Sequence, residues 1–218
     1  MSNKLTSYLE SQMQALKLKG MLAHYREITE KASQRNLSYT EYLSLLFEEE
    51  LKRKNEGTVK TKINKACFPF IKTLEEFDFG FQPSLREKEI IALSSLEFIV
   101  KKENVIFLGP PGVGKTHLSV ALGIKACMAK YRVVFITAQK LLEELMLSAR
   151  DGSLADKLLS YSRLNLLIID ELGYMPVSKV PCHCSKGACF FPLRGDDTRS
   201  HALLVHIKST TTLVNHLH

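Results

Sequence analysis

The chain contains no run of about 18 consecutive apolar residues, so nothing in it reads as a membrane-spanning helix. Lys4, Glu10, Lys17 and Lys19 interrupt the N-terminus, which therefore lacks the apolar stretch of a secretory signal; a cytoplasmic protein without membrane contacts is expected. Cysteine is scarce and odd in number, and Cys67 and Cys127 have no partner spacing, which argues against a disulfide framework. Zinc spacing is missing as well. Cys182-His183-Cys184 with Cys189 offers suitable donors, but structural zinc sites separate paired ligands by two or more residues, and no second spaced pair follows. No internal repeat is visible. What remains is a chain of 218 residues with an ordinary 45% hydrophobic content and a formal charge of +7, a balance that favours polyanionic partners without identifying one.

The first hundred residues have helical period. Leu5, Leu9, Met13 and Leu16 fall on one stripe, which predicts a helix running to about Lys31. Ser38 and Glu41 form a capping box, in which each side chain satisfies the other's orphan backbone N–H. It opens a helix expected to carry Leu43, Leu46, Phe47 and Leu51 inward. A phenylalanine-rich segment (Phe68, Phe70, Phe77, Phe79, Phe81) then leads to a second box, Ser84 with Glu87, and a helix ending near Glu103. Pro69 and Pro83 interrupt the pattern and place a boundary within about 66–83.

Beyond that point short apolar runs alternate with helical ones. Val105–Leu108, Arg132–Ile136 and Leu166–Ile169 read as strands, and Thr116–Lys130, Gln139–Ala149 and Leu154–Tyr161 as helices. Strands separated by helices predict an α/β fold with a parallel sheet covered on both faces. The expected organisation is a helical domain over 1–66, a linker and helix over 67–103, the core over 104–177 and a tail over 178–218.

Between the first strand and its helix lies Gly109-Pro110-Pro111-Gly112-Val113-Gly114-Lys115-Thr116, which fits G-x-x-x-x-G-K-[ST]. Glycines let successive N–H groups turn toward phosphate oxygens, and the helix starting there adds its positive dipole end. Lys115 can reach the β- and γ-phosphates, and the Thr116 hydroxyl can ligate magnesium. A glycine turn with an incidental lysine would show the same letters, but about 55 residues later the apolar run Leu166–Ile169 ends in Asp170-Glu171. Asp170 at a buried strand end can orient magnesium and its waters, and Glu171 can polarise the attacking water. The pair predicts an ATPase with ATP and Mg2+ as cofactors. His117 follows the loop and either packs or meets ribose; Phe77–Phe81 either walls the adenine or joins the core.

From Lys52 to Lys72 the chain holds seven basic residues against one acid, Glu56. Lys52, Arg53, Lys54, Lys60, Lys62 and Lys65 can neutralise DNA phosphates, although a solvated helical face has the same composition.

Three stretches together, Lys72-Thr73-Leu74-Glu75-Glu76-Phe77-Asp78-Phe79, Asn104 through His117, and Leu167 through Pro176, resemble the IstB-like transposition helper ATPases, relatives of the DnaC helicase loaders within the AAA+ class. The resemblance covers about residues 1–177. It implies an AAA+ type sheet and an ATP-dependent protein that assembles as a homo-oligomer on double-stranded DNA and stimulates a separate transposase. Contacts to the transposase and to other subunits would fall on about residues 1–66. A helicase-loader-like delivery protein and an inactive remnant are the alternatives.

The family pattern also implies a further helix, a strand ending in a sensor residue, an arginine finger and a fifth strand with a lid after Tyr174-Met175-Pro176. From about Val177 these do not align. Three of five cysteines and five of seven histidines lie there, a shift of the kind an altered reading frame produces. His201–Ile207 is the one strand-like run and a substitute for the fourth strand, but no arginine can be named as the finger. An incomplete sheet is expected, with Leu166–Ile169 lacking full pairing.

Overall fold

The computed structural model describes residues 2–81, 87–109, 111–171 and 202–208. Pro83, Ser84, Pro110, Tyr174–Pro176 and the Cys182–Cys189 cluster lie outside these residues. Two compact units are formed, Met1–Thr61 and Lys62–His218.

In the first unit α1 (Ser2–Ala15) and α2 (Lys19–Arg35) are separate helices, which corrects the expectation of one helix to Lys31. Lys17 adopts φ 56, and the N–H groups of Lys17 and Leu18 return to the carbonyls of Gln14 and Met13, so the left-handed residue closes α1. Asn36 closes α2 in the same conformation, one that Asn tolerates well. The Ser38–Glu41 capping box then opens α3 (Tyr39–Ala66), with Ser38 N donating to Glu41 Oε2 at 2.8 Å and Glu41 N to Ser38 Oγ at 3.3 Å.

The inward face of α3 differs from the one its period suggests. Leu46 is buried with Met13, Met21, Tyr25 and Ile28, but Leu43, Phe47 and Leu51 are exposed. The deciding group is Glu50, whose buried carboxylate accepts the N–H of Gly20 at 2.7 Å and of Met21 at 3.1 Å. Leu18 provides no side-chain cap for α2, so a carboxylate from α3 satisfies donors that the helix start leaves open. Gly20 allows this approach. A Cβ there would lie 2.6 Å from the Glu49 carbonyl oxygen.

In the second unit the expected helix to Glu103 is two short ones, α4 (Glu87–Leu93) and α5 (Glu97–Lys101), interrupted at Leu96 with φ 62. Strands β1 (Val105–Gly109), β2 (Val133–Thr137), β3 (Leu166–Asp170) and β4 (Ala202–Lys208) form one parallel sheet in the order β1-β4-β3-β2. β4 falls on the strand-like run noted in the sequence and inserts between β1 and β3. Leu166–Ile169 is therefore paired on both sides, with Ile168 opposite Phe135 on one neighbour and Leu204 on the other. This corrects the expected loss of pairing.

Alternation along the strands builds two cores. Val133, Phe135, Leu166 and Ile168 pack with α6 (Lys115–Met128) on one face. Ile136, Leu167 and Ile169 pack with α7 (Ala138–Arg150) and α8 (Leu154–Ser162) on the other. All of β3 is buried, as a central strand covered on both faces must be. In β1, Ile106 and Leu108 alternate with the half-buried Val105, Phe107 and Gly109 and are exposed among the described residues. Cys127 belongs to the α6 core, where burial pushes its thiol up to about 11, and Cys67 is also free.

Candidate functional site

The loop between β1 and α6 is placed by the strand end and by two glycines with positive φ, Gly112 at 84° and Gly114 at 85°. Gly114 is the N-cap of α6, so the loop delivers its backbone N–H groups to the helix start, where the macrodipole favours anions. Lys115 begins the helix as a buried side chain, and its Nζ donates to the carbonyl of Gly109 at 2.8 Å, folding the ammonium back over the loop. Pro111 and Val113 complete the described part of the turn.

Asp170, the last residue of β3, is buried despite its charge. One of its oxygens accepts the Thr116 hydroxyl at 3.1 Å and the other the N–H of Glu171 at 2.9 Å. The two motifs read separately from the sequence are therefore in direct contact. Glu171 lies at the exposed mouth with φ 63, a conformation that costs a non-glycine residue about 1–3 kcal/mol and that clusters at functional positions. Thr116 and Asp170 present hard oxygens side by side. That donor set fits magnesium, which takes one or two protein ligands and keeps its remaining waters or phosphate oxygens. Among the described residues no group of three or more His, Cys, Asp or Glu could hold a metal.

The Phe-rich segment divides. Phe68 turns into the α6 core against Phe135. Phe70, Phe77 and Phe79 instead cluster at the loop, with Phe77 against Phe79 at 4.9 Å between ring centroids. His117 joins them, 5.2 Å from Phe77 and 6.4 Å from Phe70, and its Nε2 lies 2.9 Å from the Thr73 carbonyl. Period alone did not reveal this cluster, because Phe70 and Phe77 lie outside any regular element. A cavity of about 330 Å3 elsewhere in the unit, behind β2, is lined by Cys67, Lys140, Glu144, Lys157 and Tyr161 among others. Its polar groups are paired internally, Tyr161 and Lys157 both contacting Glu144 at 2.7 Å, and no phosphate-loop residue lines it.

The candidate DNA-contact residues lie on α3. Lys52, Arg53, Lys54, Lys60 and Lys65 are exposed and Lys62 is half-buried; Lys54 Nζ also lies 3.4 Å from Glu50. No helix among the described residues is long and apolar enough to cross a membrane.

Comparison with known proteins agrees with this geometry. The family model for the IstB-like ATP binding protein matches residues 11–184. The chain is 38% identical over 171 residues to the insertion sequence IS21 putative ATP-binding protein of Pseudomonas aeruginosa, covering 78% of this chain and 64% of that one. It is 40% identical over 168 residues to the IS5376 putative ATP-binding protein of Geobacillus stearothermophilus, covering 77% and 67%. The chain thus spans about two-thirds of the length of these relatives. A crystal structure of DnaI is similar over 62% of this chain and 71% of its own, at 23% identity and a TM-score of 0.44. The phosphate loop, the strand-end acid pair and a match to four-fifths of the residues assign the chain to one family: it belongs to the IstB-like ATP binding proteins.

Proposed function

We propose that the chain binds ATP with magnesium at Gly109–Thr116, hydrolyses it, and acts on double-stranded DNA as a helper to a transposase. The observation that carries this reading is the 3.1 Å contact between Thr116 and Asp170, which joins the phosphate loop to the strand-end carboxylate. Loop N–H groups and Lys115 hold the phosphates, and Thr116 and Asp170 hold the metal, which when bound withdraws charge from the β- and γ-phosphates. Glu171 accepts a hydrogen bond from the attacking water and directs it in line with the bond to be broken.

The relatives' names place them in insertion sequences, and that context supports a transposase as the partner. The exposed basic residues around α3 support DNA contact through phosphates, with little sequence preference. Residues 1–66 are the proposed partner-binding domain, followed by a linker to 103 and the ATPase core. A homo-oligomer is the proposed working form. Hydrolysis is expected to be slow, since no arginine finger can be named and such fingers are worth about 10³ or more in rate.

ATP turnover measured with and without duplex DNA tests the reading, with DNA affinity followed across a salt series. Binding that weakens steeply with salt, and a salt slope that falls by about one for each of Lys52, Arg53 and Lys54 neutralised, is the expected result. ATP turnover indifferent to DNA and stimulated instead by a replicative helicase would favour a loader. An absence of turnover under every condition would mark a remnant.

A further inference from the structure

On either side of Thr116, Gly114 and His117 both touch one segment that belongs to neither motif. On one side is Gly114, where an added Cβ would lie 2.6 Å from Phe77 Cε2 and 3.1 Å from Cζ, so the ring edge rests on the loop backbone itself. On the other is His117. A carbonyl only accepts hydrogen bonds, so the 2.9 Å contact to Thr73 fixes the proton on Nε2, and the imidazole meets Phe77 and Phe70 at interplanar angles of 71° and 89°. The segment is itself closed as a turn: Thr73 N donates to Glu76 Oε2 at 2.8 Å, and Phe77 N to the Leu74 carbonyl at 3.1 Å. Neither Phe70, Phe77 nor His117 belongs to the buried clusters that hold the sheet to its helices.

We propose that Phe77 and His117 are positioning residues of the phosphate loop: together they clamp the first turn of α6 so that the Thr116 hydroxyl stays beside Asp170. The proposal rests on the reading of Gly109–Thr116 as an ATP site and adds a specific consequence. Thr116 serves the metal, whereas the loop N–H groups and Lys115 serve the phosphates. Loosening the clamp should therefore cost magnesium-bound ATP more than ATP alone. A residue that only stabilised the fold would lower the unfolding temperature and leave both affinities of the folded protein unchanged.

The test is calorimetric titration of the full chain with ATP, once with magnesium and once with EDTA, for wild type, Lys115→Ala, Phe77→Leu, His117→Ala and His117→Gln. Phe77→Leu and His117→Ala are expected to weaken magnesium-bound ATP about tenfold, the usual effect of removing a group that orients a metal ligand, and ATP in EDTA by less than about threefold. His117→Gln, whose amide can donate to the Thr73 carbonyl, is expected to recover most of the loss. If Phe77→Leu does not fold, the two His117 variants carry the same comparison. Affinities within about twofold of wild type, or equal losses with and without magnesium, overturn the positioning role while wild type and Lys115→Ala still differ. Failure of wild type to bind ATP, or binding by Lys115→Ala as tight as by wild type, overturns the ATP reading and this proposal with it.

Discussion

In the unit that carries the phosphate loop, all of β3 is buried and the buried apolar residues divide between the two faces of a sheet, with Ile106, Leu108 and Leu147 among the apolar side chains left exposed. In the helical unit, Leu5, Leu16, Leu43, Phe47 and Leu51 are each more than half exposed, while a carboxylate, Glu50, is 4% exposed. A unit of some sixty residues has little interior relative to its surface, so it offers more apolar side chains than it can bury. Which of them turn inward is then decided by polar satisfaction. Glu50 must be inward to meet the N–H groups of Gly20 and Met21, and Tyr25 hydrogen-bonds Glu10, which also pairs with Arg26 at 2.6 Å. In the loop unit, alternation along β2 and β3 instead sends successive apolar side chains to two packed faces.

The largest effect expected sharpens the chemistry of the loop unit. Lys115→Ala removes a buried ammonium which, in the proposed site, meets phosphate charge, so ATP affinity should fall about a hundredfold or more. Glu171→Gln should bind ATP as wild type does while losing turnover, because in the proposed mechanism that side chain acts on water. Equal affinities of the two variants, measured by titration, would remove the distinction between phosphate holder and water activator.

Gly20→Ala probes the opposite unit at its tightest point. The new methyl would meet the Glu49 carbonyl at 2.6 Å and the Glu50 Cα at 2.7 Å, both backbone atoms that cannot rotate away. A loss of about 1–3 kcal/mol in the stability of that unit is expected from such overpacking, read by thermal or urea unfolding. Unchanged stability would mean that α2 and α3 are not in contact there.

Glu50 gives a pH-dependent version of the same test. Burial by itself raises the carboxyl, but the backbone N–H groups of Met21 and Gly20, with Lys54, outweigh it and hold the group below the usual carboxylate range. Because the folded value is lower than the unfolded one of about 4.3, the stabilisation is complete above that pH and is lost as pH falls through the folded value. Glu50→Ala is expected to cost about 1–3 kcal/mol at neutral pH through the two N–H groups left open, and to lessen the acid sensitivity of the helical unit. A variant whose stability falls just as steeply between pH 5 and about pH 3 would assign that sensitivity to other carboxylates.

The same contrast explains what could be read from the letters alone. Strands and helices from Val105 to Ser162 fall within a residue or two of their expected ends, because period 2 gives way to period 3.6 at the glycine loop and at Thr137, whose hydroxyl caps α7 by accepting the N–H of Lys140. The contact between Thr116 and Asp170 was implied by motif logic, since both were expected to serve one magnesium ion. The contact of Phe77 with His117 was not legible, as it depends on a turn that brings residue 77 beside residue 114. Nor was the break at Lys17, where a lysine takes the left-handed role usually given to glycine. The strand at Ala202–Lys208 was visible as an apolar run, but its central place between β1 and β3 required the fold.

The smallest effect expected is the one that separates the two accounts of α3 most directly. Apolar period placed Phe47 inward with Leu43 and Leu51, and a phenylalanine so placed costs about 3–5 kcal/mol when truncated to alanine. In the structure Phe47 is 55% exposed and, unlike Leu46, lies outside the buried cluster of the helical unit, so its truncation opens no enclosed cavity and orphans no polar group. Phe47→Ala should therefore change the stability of the helical unit by less than about 0.5 kcal/mol, the usual range for a surface site, with alanine's better helix propensity offsetting part of the lost contact. Leu46→Ala, one residue away and 5% exposed, should cost about 2–5 kcal/mol under the same conditions. Urea unfolding of the pair decides between the accounts. If Phe47→Ala is the costlier of the two, the apolar stripe is the true inner face of α3, and Glu50 does not select the face that packs.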